Sequence, residues 1–126
     1  MPFSYFKTEA FRNVTELDFG QVKAAITDEN FLRTKATKII AEGALITEAG
    51  MNQKIRNWLE STTMEKVNYQ FSNMVKKHID LDTLIQSITI DAYIRRGFME
   101  IRRVDGLSAI LTVSDGRIVF CTDDSS

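Results

Sequence analysis

The sequence predicts an α+β fold, with four to five N-terminal helices followed by a small three-stranded antiparallel β meander. Three observations carry this expectation. Apolar residues recur at three- and four-residue spacing from Thr15 to Arg95. Hydroxyl and carboxylate residues suited to helix caps stand ahead of those runs. After Gly97 the pattern changes to short runs rich in branched residues, separated by Asp-Gly pairs.

Taken in order, Thr15-x-x-Asp18 opens a short helix reaching about Ile26. Thr27, Asp28 and Glu29 supply the cap and first turn of a second, whose Leu32, Ala36, Ile39, Ile40 and Gly43 share one face. Thr47 caps a third, with Met51, Ile55, Trp58 and Leu59 as its apolar face. Thr62-x-x-Glu65 forms a capping box, in which hydroxyl and carboxylate satisfy each other's amides. It starts a fourth helix with Met64, Val67, Phe71, Met74, Val75 and His78 inward, and Lys66, Asn68, Gln70, Asn73 and Lys77 outward. A fifth begins near Leu81, turns Leu84, Ile85, Ile88 and Ala92 inward, and stops at Arg95-Arg96-Gly97. Strands follow over Phe98–Val104, Ser108–Val113 and Arg117–Cys121. Asp105-Gly106 and Asp115-Gly116 join them, because both residue types tolerate the positive φ of tight hairpins.

A chain of 126 residues is expected to be a single domain: an aromatic arm over 1–12, a helical part over 13–96, hairpins over 97–121 and a polar tail over 122–126. Sixteen basic side chains against seventeen acidic ones leave a net charge of -1, so bulk attraction to nucleic acid is not implied. Cys121 is the single cysteine, which excludes an internal disulfide. The opening residues Met1 to Lys7 lack the basic region and apolar run of a signal peptide, and no apolar run approaches a membrane span. Asn13-Val14-Thr15 matches a glycosylation acceptor that is idle without secretion. A cytoplasmic location is expected, with no membrane partner.

The chemistry of sites is sparse. With His78 the lone histidine and Cys121 the lone cysteine, one chain cannot build a zinc site of His and Cys type. His78-x-Asp80-x-Asp82 could gather a hard cation if extended. The simpler reading ends a helix at His78 and caps the next with Asp80 or Asp82. A nucleophilic triad would need that same His78, which the periodicity turns inward. No two glycines are closer than seven residues, which defeats phosphate-loop fingerprints. The expectation is a non-enzyme without cofactor, metal or small-molecule substrate.

Arg95, Arg96, Arg102, Arg103 and Arg117 are five of the eight arginines. The run from Tyr93 through Arg95-Arg96-Gly97, Arg102-Arg103 and Asp105-Gly106 into Ile110-Leu111-Thr112-Val113 resembles the end of a winged-helix domain. That resemblance implies a recognition helix followed by a basic hairpin, the wing, with these five arginines on phosphates or in the minor groove of a nucleic acid. The residues alone also allow a solvated face whose arginines pair with Glu100, Asp105 and Asp115.

Phe3, Tyr5, Phe6 and Phe11 crowd four aromatics into eleven residues. Such a segment either packs back on its own domain or serves as a docking arm whose aromatics anchor in pockets of another chain. The favoured expectation is a non-catalytic assembly module, self-associating or bound to a protein partner in a larger complex such as a viral particle or bacterial machine. The second is a winged-helix nucleic-acid binder.

Overall fold

The computed structural model describes residues 15–61, 66–95 and 97–122, and it corrects the expected architecture. Among these residues seven strands form one mixed sheet, and only three helices are present, all on connections. The elements are β1 (Glu16–Lys23), α1 (Asp28–Arg33), β2 (Lys38–Glu42), α2 (Glu48–Glu60), β3 (Asn68–Ser72), α3 (Leu81–Leu84), β4 (Ala92–Arg95), β5 (Phe98–Arg102), β6 (Ser108–Ser114) and β7 (Arg117–Thr122).

Most of the expected helix from Thr15 to Ile26 is therefore β1, and the Ile39-Ile40 end of the second helix is β2. In the span of the fourth lies β3, while the Thr62–Glu65 capping box falls outside the described residues. The fifth shrinks to the single turn α3 before the chain extends into β4. The physical reason is an ambiguity of spacing. Residues four apart, such as Val67 and Phe71 or Ala36 and Ile40, are in phase both for a helix and for a strand. Burial resolves it: Val67, Tyr69 and Phe71 are buried while Asn68, Gln70 and Ser72 between them are half-exposed, which is the period of a strand.

Where local chemistry is strongest, the helix starts stand as expected. The side chains of Thr27 and Asn30 each accept from the other's backbone N–H, closing a capping box on α1. Thr47 Oγ1 accepts from the Gly50 amide at 3.1 Å, and Asp80 caps α3.

Strand order is β1-β2-β3-β7-β6-β5-β4. The first three strands are parallel, linked by the crossovers that carry α1 and α2. The last four run antiparallel, and β7 returns beside β3 with Asn68 opposite Cys121 and Phe71 opposite Ile118. The three C-terminal strands are thus no separate meander and no wing. They complete a sheet whose other half is parallel.

Because β1, β2 and β3 advance in one direction, α1 and α2 cover the same face. Ile39, Ala41, Tyr69, Phe71, Ile118, Phe120, Leu111, Ala109, Met99 and Ile101 point into that face. Phe31 of α1 meets Tyr69 and Phe71 edge-on at 5.0 and 5.2 Å, and Trp58 of α2 meets Phe120 at 5.3 Å. Fully burying side chains of this size stabilises by about 2–3 kcal/mol each. The opposite face alternates polar and apolar residues of intermediate exposure, in the manner of a one-sided sheet.

Candidate interaction surface

Edge strands leave one row of backbone amides and carbonyls without a partner. Here β1 and β4 are the two edges among the described residues, and β4 is the more apolar of the two in exposure. Its Tyr93 is 68% exposed and Ile94 is 57% exposed. Tyr93 lies opposite Met99, whose side chain is buried, so Tyr93 is on the helix-covered side of the sheet at a point beyond the reach of the helices. The ladder slips between Tyr93 and Arg95, a bulge that leaves Ile94 as the extra residue.

At the end of β4 the β4–β5 turn borders an open cleft of about 430 Å³. Gly97, Val113, Ile79 and Leu81 give it apolar walls, with His78, Ser114 and Asp115 at its polar side. Two backbone hydrogen bonds hold this end together, from the Met74 amide to the Gly116 carbonyl at 2.9 Å and from the Gly116 amide to the Lys77 carbonyl at 2.6 Å. Gly116 is needed here, since its φ is +68° and an added Cβ would press on the Lys77 side chain. His78 is exposed and not turned inward, because its segment is a loop after β3 and not a helix. A hollow of this size and lining can seat one apolar side chain of a partner. No group of three or more His, Cys, Asp or Glu side chains suited to a metal occurs among the described residues.

The arginines expected on a single wing are dispersed. Arg102 is exposed at the end of β5 and pairs with Glu100 at 3.2 Å on the face away from the helices. Arg117 opens β7 on that same face, but at the other end of the sheet. Their β6 partners Ser108 and Ser114 are six residues apart, about 20 Å of strand. Arg103 turns to the opposite side and is 4% exposed. Its guanidinium donates to Asp105 through Nε and Nη2 and to the Trp58 carbonyl through Nη1 at 3.3 Å, and its Cζ stands 5.0 Å from the Trp58 ring centre. Arg103 is a core residue holding the β5–β6 loop to the end of α2. The Asp105 carboxyl is held below the usual carboxylate range, chiefly by the Arg103 hydrogen bond. Arg95 ends β4, while Arg96, like Phe3, Tyr5, Phe6 and Phe11, lies outside the described residues.

Two buried charges escaped the sequence reading. Lys54 is not among the residues of the expected apolar face of its helix, yet it is 6% exposed. Its Nζ donates to the carbonyls of Phe31 at 2.7 Å and Thr34 at 3.3 Å, closing the C-terminal end of α1 with a cation. The same Nζ lies 4.9 Å from the Phe31 ring centre. Burial lowers the Lys54 pKa to about 8. Glu48 accepts from Lys76 Nζ at 2.5 Å and from the Asp80 amide at 2.8 Å, tying the start of α2 to the loop before α3. Burial opposes its charge, but the bonds from Lys76 and the Asp80 amide prevail and lower its pKa. A lysine among apolar neighbours and a glutamate at a helix start carry no such signal in sequence, because their partners stand 20 to 32 residues away.

No helix among the described residues is long and apolar enough to cross a membrane. No protein-family model, curated protein or solved structure matches the chain.

Proposed function

We propose that this chain is a non-catalytic assembly module of the cytoplasm, joining other protein chains through the β4 edge. The observation that supports this reading is the conjunction of an open strand edge with Tyr93 and Ile94 exposed at 68% and 57%. An incoming strand would satisfy the outer backbone groups of β4, and the cleft at its end would receive an apolar anchor. Phe3, Tyr5, Phe6 and Phe11 are assigned a second, auxiliary contact. Arginine-mediated binding of nucleic acid has less support, because Arg102, Arg103 and Arg117 share neither one face nor one end of the sheet.

Light scattering after size exclusion tests the proposal, at low and high salt and with absorbance at both 260 and 280 nm. The expected mass exceeds 14.4 kDa without excess 260 nm absorbance, and Ile94→Lys returns it toward 14.4 kDa. Deleting residues 1–11 lowers it less. A mass of 14.4 kDa at every concentration up to about 1 mM, the weakest affinity worth the name, rejects the reading.

A further inference from the structure

We infer that residues 81–91 form a strap that opens as one unit while the rest of the sheet stays folded, with the Asn52 side chain as its clasp. The opening does not depend on the assembly reading above, but its consequence for the β4 edge does.

The strap comprises α3 and the chain that leads from it to β4, and it lies outside every strand. Among the described residues, the backbone hydrogen bonds of 81–90 stay local. They run from the Leu84 amide to the Asp80 carbonyl, from Ile85 to Leu81, from Gln86 to Thr83 and from Ile88 to Ile85. Leu81, Asp82, Gln86, Ser87 and Thr89 are exposed. Leu84 and Ile88 are the buried anchors, with Ile85 and Ile90 partly buried beside them.

One side chain supplies the polar tie. Asn52 of α2 is 5% exposed, and its Nδ2 donates to the carbonyls of Leu84 at 2.9 Å and Gln86 at 2.8 Å. Arg56 Nε donates to Asn52 Oδ1 at 2.8 Å, which fixes the way the amide faces. A single amide thus satisfies two carbonyls that a one-turn helix leaves open. Next to this clasp Ser87 takes φ +63°, a conformation that costs a serine and suits glycine. Local hydrogen bonds, few buried anchors and a strained residue mark a segment that opens below the global free energy.

The strap runs directly into β4, which is tied to β5 by the Asp91 amide on the Glu100 carbonyl and by a short, bulged ladder. Opening removes the upstream tether of β4. The closed clasp therefore keeps Tyr93 and Ile94 in place at the edge, and release of β4 makes β5 the edge instead.

Hydrogen exchange of the full chain tests this, read separately over 81–91 and over β2, β3 and β7. The protected strap amides are expected to exchange at least about tenfold faster than those of the three strands, with one shared and shallower urea dependence. Ile39→Val, in the core of β2, lowers global stability and speeds exchange in the three strands about fivefold, yet leaves the strap unchanged. Asn52→Ala speeds the strap at least about tenfold, and Ser87→Gly slows it.

Strap amides that exchange together with β2, β3 and β7, and respond to Ile39→Val as those do, overturn the strap. Strap amides indifferent to Asn52→Ala overturn the clasp. Where chains join through β4, raising the protein concentration slows strap exchange. A strap rate independent of concentration, in a chain whose mass exceeds 14.4 kDa, overturns the consequence for the edge alone. A mass of 14.4 kDa throughout rejects the assembly reading and that consequence with it, while the opening stands or falls on the exchange data.

Discussion

The carboxylate of Asp28 fills the space that a side chain at Gly50 would need. Asp28 is the first residue of α1, and Gly50 is in the first turn of α2. Asp28 accepts from the Thr47 amide at 2.8 Å and from the Thr47 hydroxyl at 2.5 Å, while Thr47 in turn accepts from the Gly50 amide. One carboxylate in the first turn of α1 therefore holds the N-cap residue of α2, nineteen residues further along the chain. An added Cβ at Gly50 would overlap that carboxylate.

This arrangement reverses the usual expectation for glycine in a helix. Elsewhere Gly→Ala within a helix stabilises by about 1 kcal/mol. Here Gly50→Ala is expected to destabilise by about 1–3 kcal/mol, since it displaces Asp28 from the Thr47 cap. Asp28→Ala alone should cost about 1 kcal/mol, and the double variant less than the sum of the two. Urea midpoints of the four proteins measure the coupling. A stabilising Gly50→Ala would contradict the contact.

Stability at alkaline pH should pass through a maximum. Lys54 deprotonates near 8 in the folded chain and near the usual 10.5 when unfolded. Between those values the unfolded chain binds more protons, so stability rises with pH, by at most about 1.4 kcal/mol per unit. Burial raises Tyr69 well above its usual 10.0. The unfolded chain then loses the phenolic proton first, and stability falls as pH climbs past 10. Urea midpoints from pH 7 to 11 should therefore peak near pH 10. Lys54→Met removes the rise and Tyr69→Phe removes the fall. A wild-type curve that stays flat from pH 8 to 9.5, with Lys54→Met superimposed on it, refutes the assignment.

Substitution of Arg103 should report on folding and not on recognition. Arg103→Ala removes packing on Trp58, the ion pair with Asp105 and one of two donors to the Trp58 carbonyl, which keeps the Ser61 amide, at a cost of about 2–4 kcal/mol. Arg103→Lys recovers little of this, because an ammonium cannot reproduce the fork that meets Asp105 and the carbonyl together. Thermal melts of both variants, read beside Arg102→Ala as an exposed neighbour, separate the roles. Arg102→Ala should stay within about 0.5 kcal/mol of wild type.

The sequence was legible wherever a local rule governed the backbone. Thr27, Thr47 and Asp80 cap helices because a hydroxyl or carboxylate reaches an amide three residues on, whatever the rest of the chain does. The strands from Phe98 to Thr122 were equally legible. Runs of branched residues around Asp-Gly turns close with neighbours already in sequence, although Gly106 and Gly116 take the positive φ without their aspartates. Of the candidate site, position 95 and the adjoining Tyr93 were in view as part of an arginine-rich run, but read as the end of a recognition helix.

What local chemistry could not decide was the state of 15–26, 38–42 and 68–72, where i, i+4 spacing suits a strand as well as a helix. Long-range pairing decides it. Ile39 lies beside Tyr69, and Tyr69 beside Phe120, fifty-one residues further along the chain. The same pairing sends Arg102 to solvent and Arg103 beneath Trp58, buries Lys54 against the end of α1, and leaves β4 at an edge. Each outcome is a property of the assembled sheet: a backbone hydrogen bond across strands contributes only once both strands are in register, and no stretch of one strand specifies its neighbour.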